Sequence, residues 1–195
     1  MNLILASASP RRQELLRGLG LVFSVRTADI DESMDASRGE EAEVARISRA
    51  KAEAVRAQAG SDAVIIAADT IVCIDGKILG KPHSKEEAAE MLRRLSGRAH
   101  QVRTGVTVLR GETVRTEVDT TFVRFRAISE EEIAAYIATG EPMDKAGSYG
   151  IQGRAAIFAE GIEGDYFNVM GLPLCRLDRM LREFGVAVLG GAEMR

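Results

Sequence analysis

The sequence predicts an α/β domain built on a mixed sheet. Three observations carry this. An apolar run, Leu3-Ile4-Leu5-Ala6, breaks at Ser7 and leads into a helical pattern after Pro10. Residues 63–74 are apolar almost throughout, which suits a central strand buried on both faces. Residues 101–109 and 113–126 are two alternating β-branched runs around Arg110-Gly111-Glu112, the signature of a hairpin of long strands. Strands interleaved with helices imply layers around one sheet, with room for two lobes flanking a cleft.

The elements follow in order. Residues 3–7 read as a strand and 11–18 as a helix stopping near Gly18 and Gly20. Residues 22–27 alternate like a half-buried strand, and Asp29-Ile30-Asp31-Glu32 reads as an acidic loop. Alanines, valines and Ile47 recur at helical spacing through 41–58. Asp75-Gly76 is a hairpin-turn pair. Ser84 with Glu87 and Ser129 with Glu132 fit capping boxes, ahead of helices that run to about Leu95 and to Gly140. Residues 140–171 are glycine-rich and irregular, with a short strand near 155–159. Residues 172–184 form an amphipathic last helix, and 187–195 read as a frayed tail after a single domain over 1–186.

Composition sets the outer limits. The 195 residues fit one domain, and 46% apolar content supports a sizeable core. A net charge of −3 argues against a general binder of nucleic acid or membrane surface, since those carry a basic balance. Cys73 and Cys175 lie far apart inside apolar runs, and are expected as buried free thiols in a reducing compartment. His83 and His100 are isolated. No stretch fits a bilayer span or a signal peptide, so a cytoplasmic protein is the expectation.

Chemistry concentrates at a few places. Ser7, Ser9, Pro10, Arg11 and Arg12 sit where a strand feeds a helix N-terminus. Unpaired N–H groups there favour anions, and guanidiniums add bidentate phosphate geometry. The same residues also read as an ordinary N-cap, with Pro10 at the first helical position and solvated arginines behind it. Asp69 interrupts an apolar strand, next to the small Ala67 and Ala68 and the hydroxyl of Thr70. A buried carboxylate needs a donor, a metal or a cleft; a bond to nearby backbone would also serve. Gly80-Lys81-Pro82 puts a lysine on a turn, where it reaches a phosphate or is simply solvated; it is not a Walker A loop. The segment 140–153 is long and glycine-dense, and such segments inside compact domains are usually functional. Its Gln152 carries an amide able to match a nucleobase edge or to tie the loop to itself. Residues 164–173 read as a turn and helix cap.

SASPRR, the IDE at 30–32, AADT at 67–70, GKP at 80–82, SGRAHQVRTG at 96–105, GEPMDKAGSYGIQG at 140–153 and GDYFNVMGLPL at 164–174 together resemble the Maf family of nucleoside triphosphate pyrophosphatases. The resemblance spans residue 3 to about 185, in the family's order. It implies an elongated mixed sheet flanked by helices with a central cleft, as in inosine triphosphate pyrophosphatases. It implies hydrolysis of the α–β phosphoanhydride of a nucleoside triphosphate to monophosphate and pyrophosphate, with Mg²⁺ or Mn²⁺. The matching site positions are Ser7, Arg11, Arg12, Glu32, Lys51, Asp69, Lys81 and Gln152. Arg12, Lys51 and Gln152 together are similar to the branch acting on dTTP and UTP; the branch acting on 7-methyl-GTP departs there. A homodimer is also what the family suggests.

On this resemblance Asp69 is expected to act as general base, with a further contact to metal, and Glu32 as a metal ligand, a division of roles between the two carboxylates that the sequence leaves open. Arg11, Arg12, Lys81 and the metal would offset the roughly four negative charges of a triphosphate. Lys51 and Gln152 would read the base or its flanking phosphate. The rival expectation is a nucleotide-binding regulator of septum formation without turnover, which would have no need of Asp69 and Glu32.

Overall fold

The first strand sets the architecture. In the computed structural model, which describes residues 2–27, 29–35 and 38–189, β1 (Leu3–Leu5) is buried along its length. It pairs in parallel with β2 (Ser24–Val25) and with β3 (Val64–Ile74), with Leu5 opposite Val25 and Ile66. The remaining strands are β4 (Lys77–Leu79), β5 (Ala99–Arg110), β6 (Thr113–Phe125) and β7 (Ala159–Glu163). Together they form a seven-stranded mixed sheet in the order β2-β1-β3-β5-β6-β7, with β4 antiparallel to β3. Helices α1 (Pro10–Gly18), α2 (Glu40–Arg56), α3 (Lys85–Leu95), α4 (Glu130–Ala138), α5 (Tyr166–Met170) and α6 (Leu174–Glu183) fill the connections.

Two compact units divide the chain. The first comprises Met1–Asp69, Thr104–Asp119 and Gly171–Arg195; the second comprises Thr70–Arg103 and Thr120–Met170. The first unit packs Ile4, Ile65, Ala67 and Leu109 against Ala52 and Val55 of α2. Gly105 makes that packing possible, because a Cβ there would stand 2.8 Å from the backbone carbon of Val44. Ser48 and Thr107 share a buried hydroxyl hydrogen bond of 2.9 Å, which Thr107 continues to Thr116 at 2.9 Å. Arg176 of α6 donates to Glu117 and Asp119, fixing the last helix on β6.

The second unit is built around aromatic rings. Phe125 meets His100 and Tyr149 edge-on at 4.9 and 4.8 Å, and Phe158 meets Tyr136 at 5.4 Å. The Leu95, Leu92 and Met91 face of α3 completes this core. Asn168 on α5 donates to Val102 O and Thr121 Oγ1, while Thr121 donates to Asp165 O. The 164–170 part of the segment expected as turn and cap is therefore a clasp on β5 and β6.

Several expectations are corrected by packing. The strand expected over 22–27 shrinks to Ser24–Val25 and is exposed, because β2 is the sheet's edge and covers nothing beyond β1. The strand expected near 155–159 starts only at Ala159; residues 154–158 form a 3-10 turn whose buried Ala155 and Phe158 are spaced by its three-residue repeat. Ser129 has a full capping box, whereas Ser84 caps Glu87 N but the Glu87 carboxylate turns to His83 N instead. Cys73 is buried as expected; Cys175 is exposed, because α6 turns Leu177, Met180 and Leu181 inward and leaves position 175 outside that stripe. No helix among the described residues is long and apolar enough to cross a membrane. Of the tail expected to fray, residues 190–195 lie outside the described residues.

Two outcomes follow. Gly105→Ala must push α2 off β5 or bend the strand, and overpacking of this kind costs about 1–3 kcal/mol; an unchanged urea midpoint would contradict the close approach. His100 is 2% exposed and bonds Tyr149 Oη through Nε2 at 2.8 Å. Burial lowers its pKa to about 4. The unfolded chain therefore binds an extra proton between the ordinary histidine value and pH 4. Stability is complete above that ordinary value and falls as pH drops through the window, by about 2 kcal/mol between pH 7 and 5. His100→Phe removes this slope, so denaturation curves of the two proteins at pH 7 and 5 should differ by that amount; parallel pH dependence would show that His100 does not titrate on unfolding.

Candidate active site

The residues at the end of β1 come first. Ala6 N still donates to Ile66 O, at 2.7 Å, so the β1–β3 pairing runs up to Ser7. Ser7 Oγ then accepts from Ser9 N at 3.2 Å and from Arg12 Nη1 at 3.1 Å. Pro10 opens α1, but Ser9, at the N-cap, makes no side-chain capping bond. The cap reading thus holds for position and fails for chemistry. The expectation of solvated arginines fails for Arg12, which is buried and whose Nε donates to Gly171 O at 2.7 Å. Burial pushes its guanidinium below the usual arginine range; Asp69 opposes that shift, the neighbouring Arg11 adds to it, and Glu32 opposes it weakly. Arg11 itself is half-buried.

Asp69 stands near the middle of β3, on the stretch that continues past the end of β1. Its partner comes from α2. Lys51 lies four residues after Ile47 and one before Ala52, beside the stripe of α2 that faces the core. Its Nζ donates to Asp69 Oδ1 at 2.7 Å and pairs with Glu32 Oε2 at 3.1 Å. The Lys51 and Asp69 side chains are 15% and 10% exposed and Glu32 is 55% exposed, so the ammonium sits between an inner and an outer carboxylate. The alternative that Asp69 bonds only nearby backbone is replaced by this ion pair. Lys51, which the resemblance assigned to substrate, is engaged with the carboxylates.

Ser7, Arg12, Glu32, Lys51 and Asp69 are thus brought together in the first unit. Lys81 and Gln152 belong to the second unit, and both are exposed. Their segments are joined, since Gly147 N donates to Gly80 O at 3.0 Å. Gln152 occupies a turn closed by Gly153 N donating to Gly150 O at 2.9 Å, with the buried Ile151 beside it. Glu141, which sequence reasoning passed over, underlies that turn, as does Tyr136. Gly171, read only as part of a turn, supplies the carbonyl that holds Arg12. The signal for Glu141 was a carboxylate opening a glycine-dense loop; nothing local marked Gly171.

A divalent cation fits this oxygen chemistry. Glu32 and Asp69 are hard donors held by one ammonium; among the described residues no three or more histidine, cysteine or carboxylate side chains are grouped so as to hold a metal ion by themselves. Two protein carboxylates leave positions for phosphate oxygens and water, as Mg²⁺ prefers.

The comparisons with known proteins bear on the family and the fold. A family model described as Maf-like protein matches residues 2–184. A dTTP/UTP pyrophosphatase of Moorella thermoacetica is 52% identical over 192 residues, covering 97% of this chain and 98% of the relative. One of Bacillus velezensis is 50% identical over 185 residues, covering 95% and 97%. Among solved structures, the Ham1 protein of Staphylococcus aureus matches with a TM-score of 0.53 at 13% identity, covering 94% of this chain and 99% of that one. A HAM1 protein from Coxiella burnetii gives 0.51 at 13%, with the same coverage. These two likenesses bear on fold alone and agree with a mixed sheet flanked by helices. The chain belongs to the Maf family.

Proposed function

We propose that this chain is a metal-dependent nucleoside triphosphate pyrophosphatase that hydrolyses dTTP and UTP, or modified pyrimidine nucleotides, to the monophosphate and pyrophosphate. The observation that carries the proposal is the Lys51–Asp69–Glu32 ion triad beside a buried Arg12. Relatives of about half-identical sequence are named for this activity. A regulator that only bound nucleotide would have no use for a carboxylate buried in an apolar strand, because its desolvation is costly.

The chemistry follows from the side chains. Water adds to the α-phosphorus while Asp69 takes its proton, and the bridging α–β oxygen leaves with pyrophosphate. Lys51 orients the Asp69 carboxylate by its 2.7 Å bond. Arg12, with its head already fixed by Ser7 and Gly171, meets developing charge without being reorganised. Ser7 and Arg11 complete that phosphate-facing group, and the exposed Lys81 is assigned to phosphate on family grounds alone. Gln152 reads the base: a pyrimidine 4-carbonyl beside its N3–H presents an acceptor next to a donor, which one carboxamide matches. A Mg²⁺ or Mn²⁺ held by Glu32 and Asp69 would polarise the phosphate oxygens. A cytoplasmic setting, expected from the sequence pattern, and a homodimer, suggested by the family, belong to the same proposal.

Asp69→Asn should lower kcat by about 10²–10⁴-fold, the usual cost of losing a general base. Nucleotide affinity should stay largely intact, and pyrophosphate release over a panel of canonical and modified nucleotides with Mg²⁺ reads both the loss and the substrate range. More than about a tenth of wild-type kcat in the variant would make Asp69 structural. Activity should vanish in excess EDTA and return with Mg²⁺ or Mn²⁺, and Glu32→Gln should raise the metal concentration needed for half-maximal rate. Full turnover in EDTA would sink the metal assignment.

A further inference from the structure

We infer that Glu141 is the positioning residue for Gln152, and through it a determinant of base specificity. This rests on the reading of Gln152 as base reader.

The geometry is local and closed. Glu141 is the third residue after α4 and opens a short 3-10 turn (Glu141–Asp144). Its Oε1 accepts from Tyr136 Oη at 2.9 Å, and its Oε2 accepts from Arg154 N at 3.1 Å. The Tyr136 hydroxyl in turn accepts from Gly150 N at 3.2 Å. One carboxylate therefore holds both sides of the Gly150–Gly153 turn: the entry through Tyr136, and the exit at Arg154 N. Gln152 is the third residue of that turn and is exposed, while Ile151 before it is driven into the core. The turn can neither rotate about its axis nor slide along the chain without breaking one of these bonds.

Two glycines record how closely the carboxylate approaches. A Cβ at Gly153 would fall 2.7 Å from Glu141 Cδ, and one at Gly150 would fall 2.8 Å from Lys145 Cε. The Lys145 stem lies there because its Nζ donates to Glu141 O at 2.7 Å and to Asp144 Oδ1 at 2.6 Å. The glycines on either side of Gln152 are thus room for Glu141 and for the lysine that ties down its backbone. No substrate contact by Glu141 is required for this role. A carboxamide that must pair a base edge works only within a few tenths of an ångström, and misplacement by about 1 Å can cost about 100-fold.

The test compares kcat/KM for dTTP and GTP in wild type, Gln152→Ala, Glu141→Ala, Glu141→Gln, Tyr136→Phe and the Glu141→Ala/Gln152→Ala double variant. Expected is that Glu141→Ala lowers dTTP hydrolysis at least about 10-fold and GTP hydrolysis less than about 3-fold, flattening the preference as Gln152→Ala does. The double variant should be no worse than Gln152→Ala, since two residues acting through one contact are not additive. Glu141→Gln keeps an acceptor for Tyr136 but sets an amide donor against Arg154 N–H, so it should fall between wild type and Glu141→Ala. Tyr136→Phe keeps the buried ring and loses the bridging hydroxyl; it carries the test if Glu141→Ala does not fold, and should flatten the preference in the same direction. A wild-type dTTP:GTP ratio in the Glu141 and Tyr136 variants, with Gln152→Ala flattened, overturns the positioning role alone. Losses that multiply in the double variant overturn it as well. An unchanged ratio in Gln152→Ala removes the base-reader assignment, and the role of Glu141 falls with it.

Discussion

The bond between Lys51 and Asp69 is the constraint around which the first unit is arranged. A carboxylate in a strand that is otherwise almost wholly buried is costly to leave without a partner, and here the partner is a cation. The cation must come from an element that packs on the strand without losing its own apolar face. Helix α2 satisfies both demands because Lys51 flanks the stripe of Val44, Ile47, Ala52 and Val55, so its stem runs along the core while its head reaches Asp69. That reach requires α2 to lie close to the sheet, and the bare Cα of Gly105 against Val44 permits it. The parallel pairing of β1 with β3 then carries Ser7 and Arg12 toward the same ion pair, and α/β sheets gather function at such strand ends.

The second unit solves a different problem: how to hold an exposed amide still on an irregular loop. Long helices and strands fix side chains through many repeated backbone bonds, whereas residues 140–153 have only short 3-10 turns and isolated i→i−3 bonds. Here a single carboxylate, a phenol and a buried isoleucine do that work. The glycine density of this segment is therefore a steric requirement. Gly147 makes the point independently, since a Cβ there would stand 2.9 Å from the Val72 side chain while its N–H is bound to Gly80 O.

What could be read from the sequence divides along the same line. The buried run of β3, the long strands β5 and β6, and the Ser129 cap depend on residues within a few positions of one another, and they stand as expected apart from their ends. The 3-10 turn over 154–158, the short α5 and the clasp formed by Asn168 are decided by contacts far away in sequence, and no local pattern announced them. The site follows suit. Asp69 was conspicuous because it broke an apolar pattern. Lys51 was not: α2 also carries Arg46 and Arg49, which pair with Glu43 and Glu53 on the same helix, and only the fold distinguishes the lysine that turns to Asp69. Its place came from family resemblance alone. Glu141 was marked only as a carboxylate opening a glycine-dense loop, and nothing local marked Gly171.

Arg12 shows why burial at such a site is worth its cost. Desolvation disfavours the guanidinium, as its lowered pKa records. A backbone carbonyl and a serine hydroxyl offset part of that cost and fix the rotamer before any anion arrives. An exposed arginine would surrender side-chain entropy on binding, of the order of 0.5–1.5 kcal/mol. Arg12 has surrendered it on folding. Arg11, one residue earlier and half-buried, retains more of its freedom. The adjacent pair thus supplies one preset cation and one adaptable one, which suits a ligand whose reacting phosphate must be held rigidly while its other charges need only be screened.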